Sequence, residues 1–322
     1  MTAIIISASG YNAGEVYVGL LKGGFGSLNN MGLTLNQATP LLFCSLGLIF
    51  AFRCGVWNIG AEGQLYMGAL GAFLVGYYVT GVPKPVHLFL VVVSSFVFGG
   101  AWGVIPGVLK VKFKVNEMVT SLLLSFIAWW IIAYLVKFPL RVEELYIWTV
   151  SNEIAPTARL PLLMSGVSAH AGILIAIGLS VAVWFIMQKT VLGYEIKAVG
   201  VNPNAAAYGG IAVGKTTIIA MILSGGLCGL AGMAQVSGIH YVLADYLSSH
   251  YGFLAIMTTF IAELNPYIAV IVCIFFGGLL SGSHFVQMKV GIDGTIVQVL
   301  LVVMMLFLMA VPLIQRRLSR IS

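Results

Sequence analysis

Hydrophobic residues run through this chain in blocks and not at a helical or strand period. Nine blocks stand out, 33–52, 64–81, 87–109, 118–136, 171–188, 216–238, 252–264, 267–282 and 295–313, most of them close to the roughly 20 apolar residues that carry an α-helix across a bilayer. The pattern predicts an all-α fold: a polytopic transmembrane helix bundle of about nine to ten helices, forming one transmembrane domain over 1–322. Block 252–264 is short for a crossing, so it is expected to run tilted or to draw on its flanks. Within 1–30 no block reaches that length; 15–25 fits an interfacial helix, and the segment is expected to start at the extracytoplasmic face.

The polar interruptions carry the chemistry. In 189–217, Asn202 suits an N-cap, Pro203 the first helical position, residues 205–207 favour helix, and Gly209 or Gly210 can close it. The helix so predicted has about two turns, too few to stand alone in water, so it must pack on something. Residues 53–64 read R-C-G-V-W-N-I-G-A-E-G-Q, which sets Asn58, Glu62 and Gln64 among glycines and predicts a broken helix. Polar groups at such a break face a pathway or a protein interface, or they bond the backbone groups that the break frees, and the sequence is compatible with both. Asn116 and Glu117 open the following block, where an N-cap and an acid at the positive helix end are favourable; they are also candidates to border the pathway. Gly-x-x-x-Gly spacing at Gly99, Gly103 and Gly107, at Gly225 and Gly229, and at Gly278 and Gly282 predicts close helix crossings. The loop 137–170, with Glu143, Glu144, Tyr146, Trp148, Glu153 and Arg159, is either a landing surface for a soluble partner or a solvated cap with interfacial aromatics.

Composition fixes the solvent. Charged residues make up 8% of the chain and hydrophobic ones 60%, with mean hydropathy +1.04, which excludes a soluble domain. The net charge of +6 is spread over loops and forms no nucleic-acid footprint. Placing 189–217 in the cytosol puts ten of the 16 Lys and Arg there, among them Arg53, Lys110 and Lys215. That predicts a multi-pass protein of the cell inner membrane with its C-terminus cytosolic. Nine crossings then leave the N-terminus outside, and 1–10 lacks the basic stretch of a cleavable signal; a further helix is expected either upstream of Met1 or unseen in the first thirty residues.

Residues Gly209 to Thr216 read G-G-I-A-V-G-K-T and satisfy the phosphate-loop pattern, but a short helix precedes them where a buried strand is required, so nucleotide binding is not expected. Cys44, Cys54, Cys228 and Cys273 lie in or beside apolar runs and are expected in the core. Catalytic and metal-binding motifs are absent, which points away from an intramembrane enzyme. The charge pairs expected inside an ion-coupled secondary transporter are missing as well.

With those residues in view, the chain resembles the permease subunits of ABC importers in the branched-chain amino acid, simple sugar and nucleoside group. Three stretches carry the likeness: G-V-W-N-I-G-A-E-G-Q-L-Y-M-G-A (55–69), V-N-E-M-V-T-S-L-L-L-S-F-I-A (115–128) and G-Y-E-I-K-A-V-G-V-N-P-N-A-A-A-Y-G-G-I (193–211). The first two look most like nucleoside-type permeases. The resemblance implies a pore-forming subunit that is not itself an enzyme and holds no cofactor. Its partners would be a cytosolic ATPase with two nucleotide-binding halves that carry ATP and Mg, a second homologous permease forming a heterodimer, and a substrate-binding protein or lipoprotein outside. Docking of the ATPase would fall on Gly193, Glu195, Lys197, Ala198, Gly200, Asn202, Pro203, Ala205, Ala206 and Gly210. The solute would be a nucleoside, with a simple sugar or branched-chain amino acid as the alternative. The chain departs from its relatives after Gly252-Phe253, where it continues Leu254-Ala255-Ile256-Met257-Thr258-Thr259, so the lining of that helix is its own.

Overall fold

The computed structural model describes residues 6–7, 11–142, 150–164, 166–291, 299 and 302–307. In chain order the helices are α1 (Ala13–Phe25), α2 (Leu28–Arg53), α3 (Ala61–Tyr78), α4 (Lys84–Phe113), α5 (Glu117–Lys137), α6 (Gly172–Lys189), α7 (Val191–Val201), α8 (Pro203–Tyr208), α9 (Val213–Gln235), α10 (Tyr251–Ile261) and α11 (Pro266–Val290). A π-helical turn, Val236–His240, extends α9. A short antiparallel hairpin, β1 (Leu162–Met164) with β2 (Val167–His170), is the one sheet among the described residues. Of the expected block 295–313, residues 299 and 302–307 are helical, and the rest lies outside the described residues, as do Glu143, Glu144, Tyr146 and Trp148.

Among the described residues six helices are long and apolar enough to cross a membrane: Leu28–Arg53, Lys84–Phe113, Glu117–Lys137, Gly172–Lys189, Val213–His240 and Pro266–Lys289. The chain is a helical polytopic bundle, as its hydrophobic blocks predict. α2 and α9 are apolar and buried all round and form the centre, whereas α4, α5 and α6 turn much of their apolar surface outward, as lipid-facing helices do. Block 252–264 differs from the expectation of a tilted or extended crossing. α10 has 11 residues, roughly 16 Å, which spans about half of a hydrocarbon core.

The Gly-x-x-x-Gly spacings sit at the central crossings. A Cβ on Gly68 would stand 2.2 Å from the backbone of Gly229, and one on Gly99 would stand 2.4 Å from the Gly225 carbonyl, so α3, α4 and α9 meet backbone to backbone. α1 packs along α11 through Gly23 and Gly24 against Gly278 and Gly282. All four cysteines are buried thiols.

At the end of the bundle away from Arg53, residues 150–160 form a strap stitched to the π turn and to the segment that follows it. Ser151 N donates to the Leu243 carbonyl (3.0 Å), Leu243 N to the Ser151 hydroxyl (2.8 Å), Ile154 N to Tyr241 (2.8 Å) and Leu160 N to Ser237 (2.8 Å). The Arg159 guanidinium lies 4.5 Å from the centre of the Tyr241 ring.

β2 ends on His170, 1% exposed, whose Nδ1 accepts from Gly172 N (3.1 Å) and whose Nε2 has no partner among the described residues. Burial pushes the imidazole down from its ordinary value of 6.5 to about 4. The unfolded chain takes up this proton near pH 6.5 and the folded chain only near pH 4, so stability is full above about 6.5 and falls through that window by up to about 3 kcal/mol. Thermal unfolding in detergent from about pH 7.5 to 4.5 should therefore show a steeper loss for the wild type than for His170→Asn. Parallel curves would contradict this assignment.

Candidate functional site

α2 stops at Arg53 and α3 starts at Ala61, and the break between them is closed by side chains. Asn58 Oδ1 accepts from Gly60 N (3.0 Å) and Gln64 Nε2 (3.2 Å), while Asn58 Nδ2 donates to Gln64 Oε1 and Ser224 Oγ (both 2.9 Å). Ser121 and Ser125 of α5 take up Ile59 N and Gly63 N. Both amides are buried; Asn58 satisfies the Gly60 N–H of the broken backbone and Gln64 holds Asn58 in place, one of the two roles compatible with the sequence.

Glu62 does something else. Its Oε2 accepts from Gly252 N at 2.7 Å, its carboxylate meets the Ser248 hydroxyl, and His250 is a near neighbour. The first turns of α3 and α10 thus converge on one carboxylate, which caps α10 from 190 residues away. The approach needs glycine, since a Cβ on Gly252 would lie 2.3 Å from Glu62 N. Around this junction Ser248 Oγ accepts from Tyr251 N (3.2 Å), the Tyr251 hydroxyl donates to Gln37, and Tyr66 and Trp129 both donate to the Asp245 carbonyl (3.1 and 2.9 Å). Gln235 lies beside Tyr251, yet its Nε2 has no hydrogen bond among the described residues. Sequence reasoning missed Gln37, Tyr66, Gln235, Asp245 and Tyr251. The available signal was H-Y-V-L-A-D-Y-L-S-S-H-Y (240–251), a polar interruption followed by an apolar block too short for a full crossing.

The other end of α10 reaches Arg53, whose guanidinium donates to the Glu263 and Leu264 carbonyls (both 3.3 Å), and Phe260 stacks on Phe52 (4.8 Å between centroids) beside Trp57. Here too are Asn116, which caps α5 by accepting from Met118 N and Val119 N, and Glu117, which pairs with Lys110. With Cys54, Lys114, Gly200 and Thr217 the last three border a cavity of about 650 Å³. Asn116 and Glu117 therefore belong to the charged end and lie apart from the Glu62 junction.

Within 189–217 the helix opened by Asn202 and Pro203 forms as its sequence predicts, and a second helix, α7, which the sequence pattern did not mark, precedes it. Thr190 caps α7 on Gly193 N, Asn202 caps α8 by accepting from Asn204 N and Ala205 N (3.0 and 3.1 Å), Pro203 opens α8, and Gly210 turns at φ +84°. Two of the ten docking candidates face their own chain and a third is largely covered. Gly200 is pressed on the end of α2, where a Cβ would stand 2.0 Å from the Arg53 carbonyl, Gly193 is pressed on α6, and Ala206 is buried. Glu195 accepts from Thr216 (3.4 Å) and Lys197 donates to Gln188 (3.3 Å). Lys197, Ala198, Asn202, Ala205 and Ala206 line a groove of about 440 Å³ with Tyr194 and Val201, and Val201 and Tyr208 stand 87% and 95% exposed.

The stretch Gly209 to Thr216 follows helix α8, not a strand, and runs straight into α9. Lys215 is exposed at the foot of α9, where a cation anchors a membrane helix. Equilibrium dialysis with labelled ATP should find no binding by either the wild-type chain or Lys215→Ala. Tight binding abolished by that substitution would restore the phosphate-loop reading.

A family profile described as branched-chain amino acid transport system / permease component matches residues 30–310. The guanosine ABC transporter permease protein NupP of Bacillus subtilis (strain 168) is 32% identical over 311 residues, covering 95% of this chain and 88% of NupP. The glucose ABC transporter permease protein TsgB13 of Haloferax volcanii is 31% identical over 300 residues, 89% of this chain and 78% of its own. A second guanosine ABC transporter permease protein of the same Bacillus, NupQ, is 26% identical over 249 residues, 76% of this chain and 78% of its own.

Proposed function

Because this chain belongs to the branched-chain amino acid transport system permease family, we propose that it forms half of the membrane pathway of an ATP-driven importer for nucleosides. The charged end of the bundle is its cytosolic side. The observation that carries this reading is the segment 191–211: a rigid pair of short helices, braced on the end of α2, that leaves Tyr194, Val201 and Tyr208 uncovered at that end. Apolar side chains held there on a firm base suit a soluble partner's groove. That partner is a cytosolic ATPase with two nucleotide-binding halves, which holds ATP and Mg, while this chain binds neither. Glu62 borders the pathway and sets the half-helix beside it.

A second, different permease completes the pathway, a reading supported by the two guanosine permeases of one Bacillus, which this chain matches to unequal degrees. An extracytoplasmic binding protein or lipoprotein delivers the solute. A simple sugar is the second reading, favoured by the glucose permease at nearly the same identity.

The test is reconstitution with the products of the neighbouring genes in liposomes and uptake of labelled guanosine, glucose and leucine. Guanosine uptake that needs ATP, in a complex with one copy of this chain and one of a homologue, is the expected result. Uptake by this chain alone, driven by an ion gradient, would overturn it.

A further inference from the structure

The turn 245–250 occupies a position that lipid cannot share. α10 starts at Tyr251 and ends beside Arg53, so its roughly 16 Å place the turn about halfway through a hydrocarbon core. The turn has no regular secondary structure, His250 holds a left-handed φ of 63°, and Ser249, His250 and Tyr246 are uncovered. Irregular backbone with exposed polar groups at that depth is tolerated only against protein or water. Asp245 is half-buried, and its backbone carbonyl is held by Tyr66 and Trp129. Its carboxylate forms no ion pair or hydrogen bond among the described residues.

The rings around it also face outward. Tyr246 lies edge-on to His240 and His250 beside Phe253, both at 6.3 Å between centroids, and Trp129 is partly uncovered above the same carbonyl. A carboxylate that lacks a donor, on the same turn as the exposed rings of Tyr246 and His250, matches a solute that carries hydroxyl donors and an aromatic ring. Vicinal sugar hydroxyls donate to carboxylates, and any nucleobase stacks on an aromatic side chain.

The geometry points to the turn 245–250 as a solute-contact site of the pathway, in which the Asp245 carboxylate accepts from the sugar hydroxyls of a passing nucleoside and Tyr246 and His250 offer ring faces to its base. The inference rests on the nucleoside reading above and gives this permease a share in selection beyond its external binding protein.

The test compares uptake of guanosine with 2′,3′-dideoxyguanosine in the whole reconstituted complex, with binding protein held saturating and identical throughout, so that its own preference cancels between variants. Asp245→Asn is expected to shrink the guanosine preference by about tenfold, as loss of a charged acceptor does, and Asp245→Glu to restore most of it. Tyr246→Ala should lower uptake of both solutes alike. If wild type carries guanosine and its preference is unchanged in both Asp245→Asn and Asp245→Ala, the contact site is overturned while the importer reading stands. Wild-type complex that takes up glucose and no nucleoside overturns the nucleoside reading and this inference with it.

Discussion

Gly200→Val is expected to abolish ATP-driven uptake, to below about 1% of wild type, while leaving the bundle inserted in the membrane. A Cβ at position 200 would stand 2.0 Å from the Arg53 carbonyl oxygen and within 3.1 Å of the Cys54 backbone, neither of which is a flexible side chain that can swing away. Overpacking of this kind costs about 1–3 kcal/mol or more, and it is relieved most easily by lifting α7 and α8 off the end of α2. The helix would survive, because the Asn202 cap and Pro203 act locally. What fails is the joint between the exposed face of 191–211 and the pathway helices. Ala206→Trp should act in the same sense through a buried site, whereas Tyr208→Ala, at an exposed one, should weaken ATPase attachment without disturbing that joint. ATPase rate and uptake measured side by side decide the matter. Full coupling in Gly200→Val would show that the contact with Arg53 transmits nothing.

The second large effect belongs to Glu62. Glu62→Ala removes the acceptor that holds Gly252 N and leaves the first turn of α10 unpartnered inside the bundle, at roughly 1–3 kcal/mol. Uptake should fall about 10- to 100-fold, with the complex still assembled, because Asn58 and Gln64 continue to close the break. Glu62→Gln keeps one acceptor oxygen and loses the charge, so its uptake should lie between that of the alanine variant and wild type. The readout is transport per assembled complex, quantified in the same membranes. An alanine variant within twofold of wild type would remove Glu62 from the mechanism.

Much of this was written locally. Asn202, Pro203 and Gly210 punctuate a helix within nine residues, and the structure follows that punctuation. The glycine spacings mark helix crossings because a small-residue stripe has few other uses in lipid. The break at 53–61 was legible from its glycines, and the sequence set out both roles for its polar groups. What hydropathy could not supply was the half-helix. An 11-residue apolar run followed by Glu263-Leu264-Asn265-Pro266 reads as a poor crossing until one knows that its N-terminus is capped from another helix. The same holds for Gly193 and Gly200, which a smooth, alanine-rich sequence presents as partner-facing and which the fold turns inward. Pairings between residues 62 and 252, or 53 and 200, leave no trace in the periodicity of either segment.

The strap deserves to be considered as a mechanical part. Backbone hydrogen bonds tie residues 151, 154 and 160 to 243, 241 and 237, and only six residues separate Ala244 from the start of α10 at Tyr251. Strap, turn and half-helix are therefore linked in series, and the linkage runs through main chain in preference to side chains that could rotate away. Displacement of the strap is therefore passed to the start of α10 along main chain, with α9 sharing the load at Ser237.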